Sequence, residues 1–156
     1  MKSSINLKSA IAAGLAATAA MTVFTYMAPL MGIKMNIPEM LASTMGLPIL
    51  FGWIAHFMIG IILALIYSGL FLSIIKNKST IKSGAIFSLL PWIMAQIVVM
   101  PMMSTMKGMG FAAGLFSGSI IMAMASLAGH LIYGLVLGKI YNPERAKKYV
   151  ENLSAR

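Results

Sequence analysis

The sequence has no cysteine and no aspartate, and its acidic side chains are three glutamates, Glu39, Glu144 and Glu151. Without cysteine there is no disulfide framework, no thiolate metal site and no thiol chemistry. So few carboxylates leave paired-carboxylate catalysis, carboxylate-held magnesium and a Ser-His-Asp triad without their parts. Walker, GxSxG, HExxH and dinucleotide-binding patterns are missing as well. The expectation is a protein that is not an enzyme. Charge of either sign is scarce: 10 % of the 156 residues carry it, against about 25 % in ordinary soluble domains. A soluble domain this small needs a largely polar skin, and a chain that is 60 % hydrophobic cannot make one. The solvent that suits it is a lipid bilayer.

Four uncharged runs, 9–33, 49–75, 83–106 and 108–138, exceed the roughly 20 apolar residues that a helix needs to cross the hydrocarbon core. The spacing of polar breaks predicts spans at about 9–30, 50–74, 84–103 and 115–138, within one transmembrane domain covering 1–156. The break at 32–48, with Pro38, Gly46 and Pro48, reads as a loop with room for a short interfacial turn. A short surface helix is expected to start at Asn142-Pro143-Glu144, in a tail of residues 139–156. Lys2 and Lys8 before a small-residue stretch at 16–20 also resemble a signal peptide. The apolar run continues through Met27, however, which is long for a signal sequence.

The net charge of +9 does not form a basic face of the kind that reads nucleic acid. Of the twelve Lys and Arg, ten fall in the N-terminal segment (Lys2, Lys8), the middle loop (Lys76, Lys78, Lys82) and the tail (Lys139, Arg145, Lys147, Lys148, Arg156). The two others, Lys34 and Lys107, lie in the remaining loops. By the positive-inside rule both termini and the middle loop are cytoplasmic, in a bacterial inner membrane. An even number of spans gives the same answer. Nucleic acid is not an expected partner; the bilayer is, with a second copy or another membrane protein possible.

The chain also echoes itself. The segment from His56 through Gly60, Leu63 and Ile66 to Tyr67 lies over the segment from His130 through Gly134, Leu137 and Ile140 to Tyr141, 74 residues later. Ala28-Pro29-Leu30-Met31 likewise resembles Met100-Pro101-Met102-Met103. The expected fold is therefore an all-α, integral membrane four-helix bundle built from two parallel two-helix hairpin repeats. Small residues recur every fourth position: Ala10, Gly14, Thr18 and Thr22 in the first span, and Gly52, His56, Gly60, Ala64 and Ser68 in the second. In the fourth the series is Gly110, Gly114, Gly118, Met122, Ser126, His130, Gly134 and Gly138. Such ridges let membrane helices approach closely.

His56 and His130 are the ionisable side chains well inside the apolar runs, and an ionisable residue there is a functional candidate. Both stand on small-residue ridges and are expected to face one shared interior region. Three uses suit them: a packing hydrogen bond, paired axial ligation of b-type haem, or a proton or substrate relay. A cofactor is not the leading expectation. Their distances from Lys76 and Lys139 would separate them in depth by about 16 Å at 1.5 Å per residue; the repeat puts them level, and the repeat is the stronger guide. Ten of the sixteen methionines cluster in segments assigned to the outer side: Met27, Met31, Met35, Met40, Met45, Met100, Met102, Met103, Met106 and Met109. Thioethers ligate Cu(I), and they also fill irregular apolar space.

The segments GWIAHFMIGIILALIY, SLLPWIMAQIVVMPMM and SLAGHLIYGLVLGKIY resemble small uncharacterised bacterial inner-membrane proteins of the YagU-like, domain-of-unknown-function type. The resemblance covers Gly52 to Tyr141 and rests on His56, Pro91, Pro101 and His130. It implies a multi-span inner-membrane protein and no chemistry. A membrane scaffold or interaction protein is the leading expectation for function, and a small-ligand binding or transport protein using His56 and His130 is the alternative.

Overall fold

The computed structural model describes residues 5–142, Lys34 and Asn77 apart. The surface helix expected from Asn142 onward, and the tail cations beyond it, lie outside the described residues. Within them every regular element is helical. Helix α1 (Leu7–Met27) runs into a 3-10 turn (Ala28–Met31), and α2 (Ile37–Met45) follows. Helix α3 (Ile49–Ile74) is π-helical over Tyr67–Phe71. Helix α4 (Ile81–Met106) is π-helical over Ala95–Val99, just after Pro91. A 3-10 segment (Ala112–Gly118) leads to α5 (Ile120–Ile140). Residues 7–30, α3, α4 and α5 are each long and apolar enough to cross a membrane, and they mark a membrane protein.

Local chemistry sets the helix starts. Asn6 and Asn36 accept the backbone N–H three residues on, at 3.1 and 3.2 Å, and so open α1 and α2. Thr80 and Ser83 cap each other reciprocally at the head of α4. The loop expected at 32–48 therefore contains a nine-residue helix, ended by Gly46 in the left-handed conformation. The fourth span begins five residues later than its hydrophobic run suggests. Leu115 leaves helical geometry, and Phe116, Ser117 and Gly118 take positive φ of 51°, 59° and 70°. Hydropathy does not register a break in backbone geometry, so the run reads as continuous. Gly110 (φ 82°) and Gly118 serve turns, and neither extends the small-residue ridge.

Two seams hold the helices together. In the first, Gly14 of α1 sits against Ala64, and Thr18 sits against Gly60 of α3. In the second, Gly84 of α4 lies against the backbone of Gly134 and Gly138 of α5, and Ser88 lies against Gly134. Helix α1 also packs along α5, joining the two pairs. The residues of α3 buried over Ile49–Ile66 are Gly52, His56, Gly60 and Ala64, the small-residue ridge itself. The start of α1 lies by the end of α5, where the Asn142 N–H donates to Ser9 Oγ at 2.9 Å. Ile5 lies by Gly69 of α3. So α3 and α5 run parallel to each other and antiparallel to α1.

Candidate functional site

Helices α3 and α4 meet at one end only. There Phe87 lies 5.2 Å, between ring centroids, from both Tyr67 and Phe71. The hydroxyls of Tyr67 and Ser83 are 2.7 Å apart, and that of Ser79, 3.0 Å from Tyr67, donates to Gly138 O. Over Ile49–Ile66, α3 forms no comparable seam with α4. The space between them is a cavity of about 1000 Å³. Its side walls include His56, Ile59 and Leu63 of α3 and Leu90, Met94 and Gln96 of α4. Thr18 and Met21 of α1, with Met122, Ser126, His130 and Tyr133 of α5, form its back. Toward α2 it reaches Asn36, Glu39 and Ser43, and Lys107, whose ammonium donates to Ser43 Oγ at 3.1 Å.

Both histidines line this one cavity. Tyr133 donates its O–H to Gly60 O at 2.6 Å, tying α5 to α3 behind Thr18. His56 is four residues before Gly60, and His130 is three before Tyr133, on helices that run parallel. The bond thus sets the two histidines level to within about a helical turn. The offset suggested by Lys76 and Lys139 does not arise.

The imidazoles are not bonded to each other; each belongs to its own network. His56 Nε2 lies 2.9 Å from Thr22 Oγ1, whose single hydrogen is given to Thr18 O at 2.7 Å. Nε2–H is therefore the donor to Thr22. His130 Nδ1 lies 2.8 Å from Ser126 O. A carbonyl only accepts, so Nδ1 carries the hydrogen. A second chain feeds the same serine: Ser117 O–H donates to Gln96 Oε1 at 2.8 Å, and Gln96 Nε2–H donates to Ser126 Oγ at 3.2 Å. Gln96 is 1 % exposed, and the π-turn of α4 carries it. A π-turn inside an α-helix often marks a functional position.

Thr22, Gln96, Ser117, Ser126 and Tyr133 form the polar surroundings of the two histidines, and none was a candidate from sequence. Gln96 had a signal, being a strongly polar residue in an apolar run. Ser117 had none, because its placement depends on the left-handed turn before α5. The outer methionines divide: Met35, Met40, Met100 and Met103 line the cavity together with Met21, Met94 and Met122. Met27, Met45, Met102, Met106 and Met109 are exposed. Trp92, one face away, donates its indole N–H to Ala123 O at 3.1 Å and joins α4 to α5.

No curated protein and no solved structure matches the chain. A family model described as "Family of unknown function (DUF6789)" matches residues 5–150, nearly the whole chain, so the protein belongs to that uncharacterised family.

Proposed function

We propose that this protein is a membrane-embedded binding protein, with no catalytic step of its own, that holds a small apolar molecule between α3 and α4. The observation that carries the reading is the cavity of about 1000 Å³ onto which His56 and His130 both open. Its size falls at the top of the range of small-molecule sites, and its make-up, mostly apolar with a few convergent polar groups, is the one such sites share. Seven methionines in the lining suit it to a flexible apolar guest. A scaffold acting through its outer surface gives no account of such a space. Haem ligation through His56 Nε2 would break the bond to Thr22, and a relay joining the histidines would have to link two separate networks. Both fit the geometry less well than a neutral guest does.

Extraction and mass spectrometry of the detergent-purified protein test the reading. An apolar molecule near one equivalent is expected from wild type. It should be lost from Ala95→Trp, which fills the cavity from its α4 wall. Identical extracts from the two proteins would overturn the proposal.

The proposed setting is a bacterial inner membrane, with four spans and both termini cytoplasmic. The proposed origin is duplication of a helical hairpin. The paired seams support the duplication: Gly60 meets Thr18 in one pair and Gly134 meets Ser88 in the other, while Gly14 meets Ala64 where Gly84 meets Gly138. The ten-to-two Lys and Arg asymmetry supports the orientation. Reporter fusions after Lys78 and Arg156 are expected to read cytoplasmic, and fusions at Glu39 and Lys107 periplasmic. One cytoplasmic reading at Glu39 breaks the topology.

A further inference from the structure

We propose that the molecule held in the cavity is an apolar alcohol or phenol, whose hydroxyl donates its one hydrogen to the open ring nitrogen of His56 or of His130. The inference rests on the reading of the cavity as a ligand site and deepens it. Each imidazole, in its neutral form, gives its one N–H to the protein: His56 Nε2 to Thr22, and His130 Nδ1 to Ser126 O. What remains is a lone pair on His56 Nδ1 and another on His130 Nε2. Neither atom takes part in a hydrogen bond among the described residues. Yet no buried side-chain nitrogen or oxygen among those residues is left without a partner. The two atoms are therefore open to space, and the space their residues line is the cavity.

A site with two vacant acceptors in apolar surroundings selects a guest that can donate. Ketones, ethers and esters only accept; a carboxylate beside the histidines would lack a cation, since Lys107 stands at the α2 end of the cavity, eleven residues along the chain from Gln96. A hydroxyl donates to imidazole, and its own lone pairs can receive a hydrogen from Ser126, whose oxygen already accepts from Gln96. The rest of such a molecule lies against Met94, Leu90 and Ile59.

Two probe pairs differing only in the O–H test this in detergent by calorimetric titration: 1-naphthol against 1-methoxynaphthalene, and farnesol against its methyl ether. Wild type is expected to bind the hydroxyl member of at least one pair about tenfold more tightly than the ether, roughly one neutral hydrogen bond. Preference confined to the naphthalene pair assigns an aromatic ligand, and preference confined to the farnesyl pair an aliphatic one. In one of the two variants His130→Phe and His56→Phe, the one that removes the acceptor in use, the preference should shrink toward one while ether affinity is kept, which also shows that the variant is folded. Equal binding within both pairs, blocked by Ala95→Trp, overturns the hydroxyl class and leaves the cavity reading standing. A preference that survives both histidine substitutions overturns it as well. Failure of every probe to bind, or binding untouched by Ala95→Trp, removes both readings.

Discussion

Gly134→Leu is expected to cost about 3 kcal/mol or more, the upper end of what over-packing does. A side chain at this position is aimed at Gly84 O and at Ser88 Cβ and Oγ. A backbone carbonyl cannot step aside as a flexible side chain can, so relief requires α4 and α5 to separate along their whole seam. The same seam carries Gly84 and Gly138, each packed against opposing backbone, so no neighbouring position absorbs the shift. Gly60→Leu should behave similarly but less severely, because the atoms in its way belong to the Thr18 side chain. Two controls frame the result. Gly129→Ala places its methyl 3.4 Å from Met21 Cε, an ordinary contact with a flexible end. Ile62→Leu changes a side chain that is 48 % exposed on the outside of α3. Both should leave the thermal midpoint in detergent within a degree or two of wild type. Gly134→Leu should lower it by roughly 6–12 °C. An unchanged midpoint for Gly134→Leu would mean that the close-packed face of α5 has been assigned wrongly.

Tyr67→Ala is expected to be as damaging, at about 3–5 kcal/mol, the cost of deleting a large buried aromatic side chain. Tyr67 is 0 % exposed and closes the end of the bundle where α3 meets α4. Its ring lies 5.2 Å from Phe87, 5.8 Å from Phe71 and 6.1 Å from Tyr141, between centroids. Its hydroxyl lies 3.0 Å from that of Ser79 and 2.7 Å from that of Ser83. Tyr67→Phe separates the two contributions. It keeps the ring and removes the hydroxyl, while Ser79 still donates to Gly138 O and Ser83 still bonds Thr80, so about 0.5–1.5 kcal/mol is expected. The measurement is the midpoint of each variant in the same detergent. Equal midpoints for wild type and Tyr67→Phe would show that the ring alone fastens this end.

Much of the site's position was legible in the sequence. His56 and His130 stood on ridges of small residues, and small residues in an apolar run mean close helix approach. The ridges put both imidazoles in the interior, the 74-residue repeat put them at matching depth, and the structure places them on one cavity. Their hydrogen bonds were not legible. Thr22 faces His56 because α1 packs on α3 through Gly14 and Thr18, a matter of helix rotation that periodicity does not fix to within one residue. His130 satisfies itself on its own helix, at Ser126 O, so it does not need the histidine opposite.

The sequence by itself determined the solvent, the all-helical class and the small-residue faces of α1, α3 and α5, while the Gly84 and Ser88 face of α4 came from the structure. Composition excludes a polar skin, apolar runs of span length leave the helix as the way to satisfy the backbone in lipid, and glycines at every fourth position select the touching faces. Only the tertiary structure decided that α3 and α4 meet at the Tyr67 end and stand apart beyond it. It also decided that the helix breaks at Leu115, Phe116 and Ser117, which sets Ser117 against Gln96. The physical reason is that hydropathy and spacing describe each helix against an average surrounding. A cavity is instead a property of the distance between helices, set by contacts at one end that reach across the chain from Tyr67 to Ser79, Ser83 and Phe87.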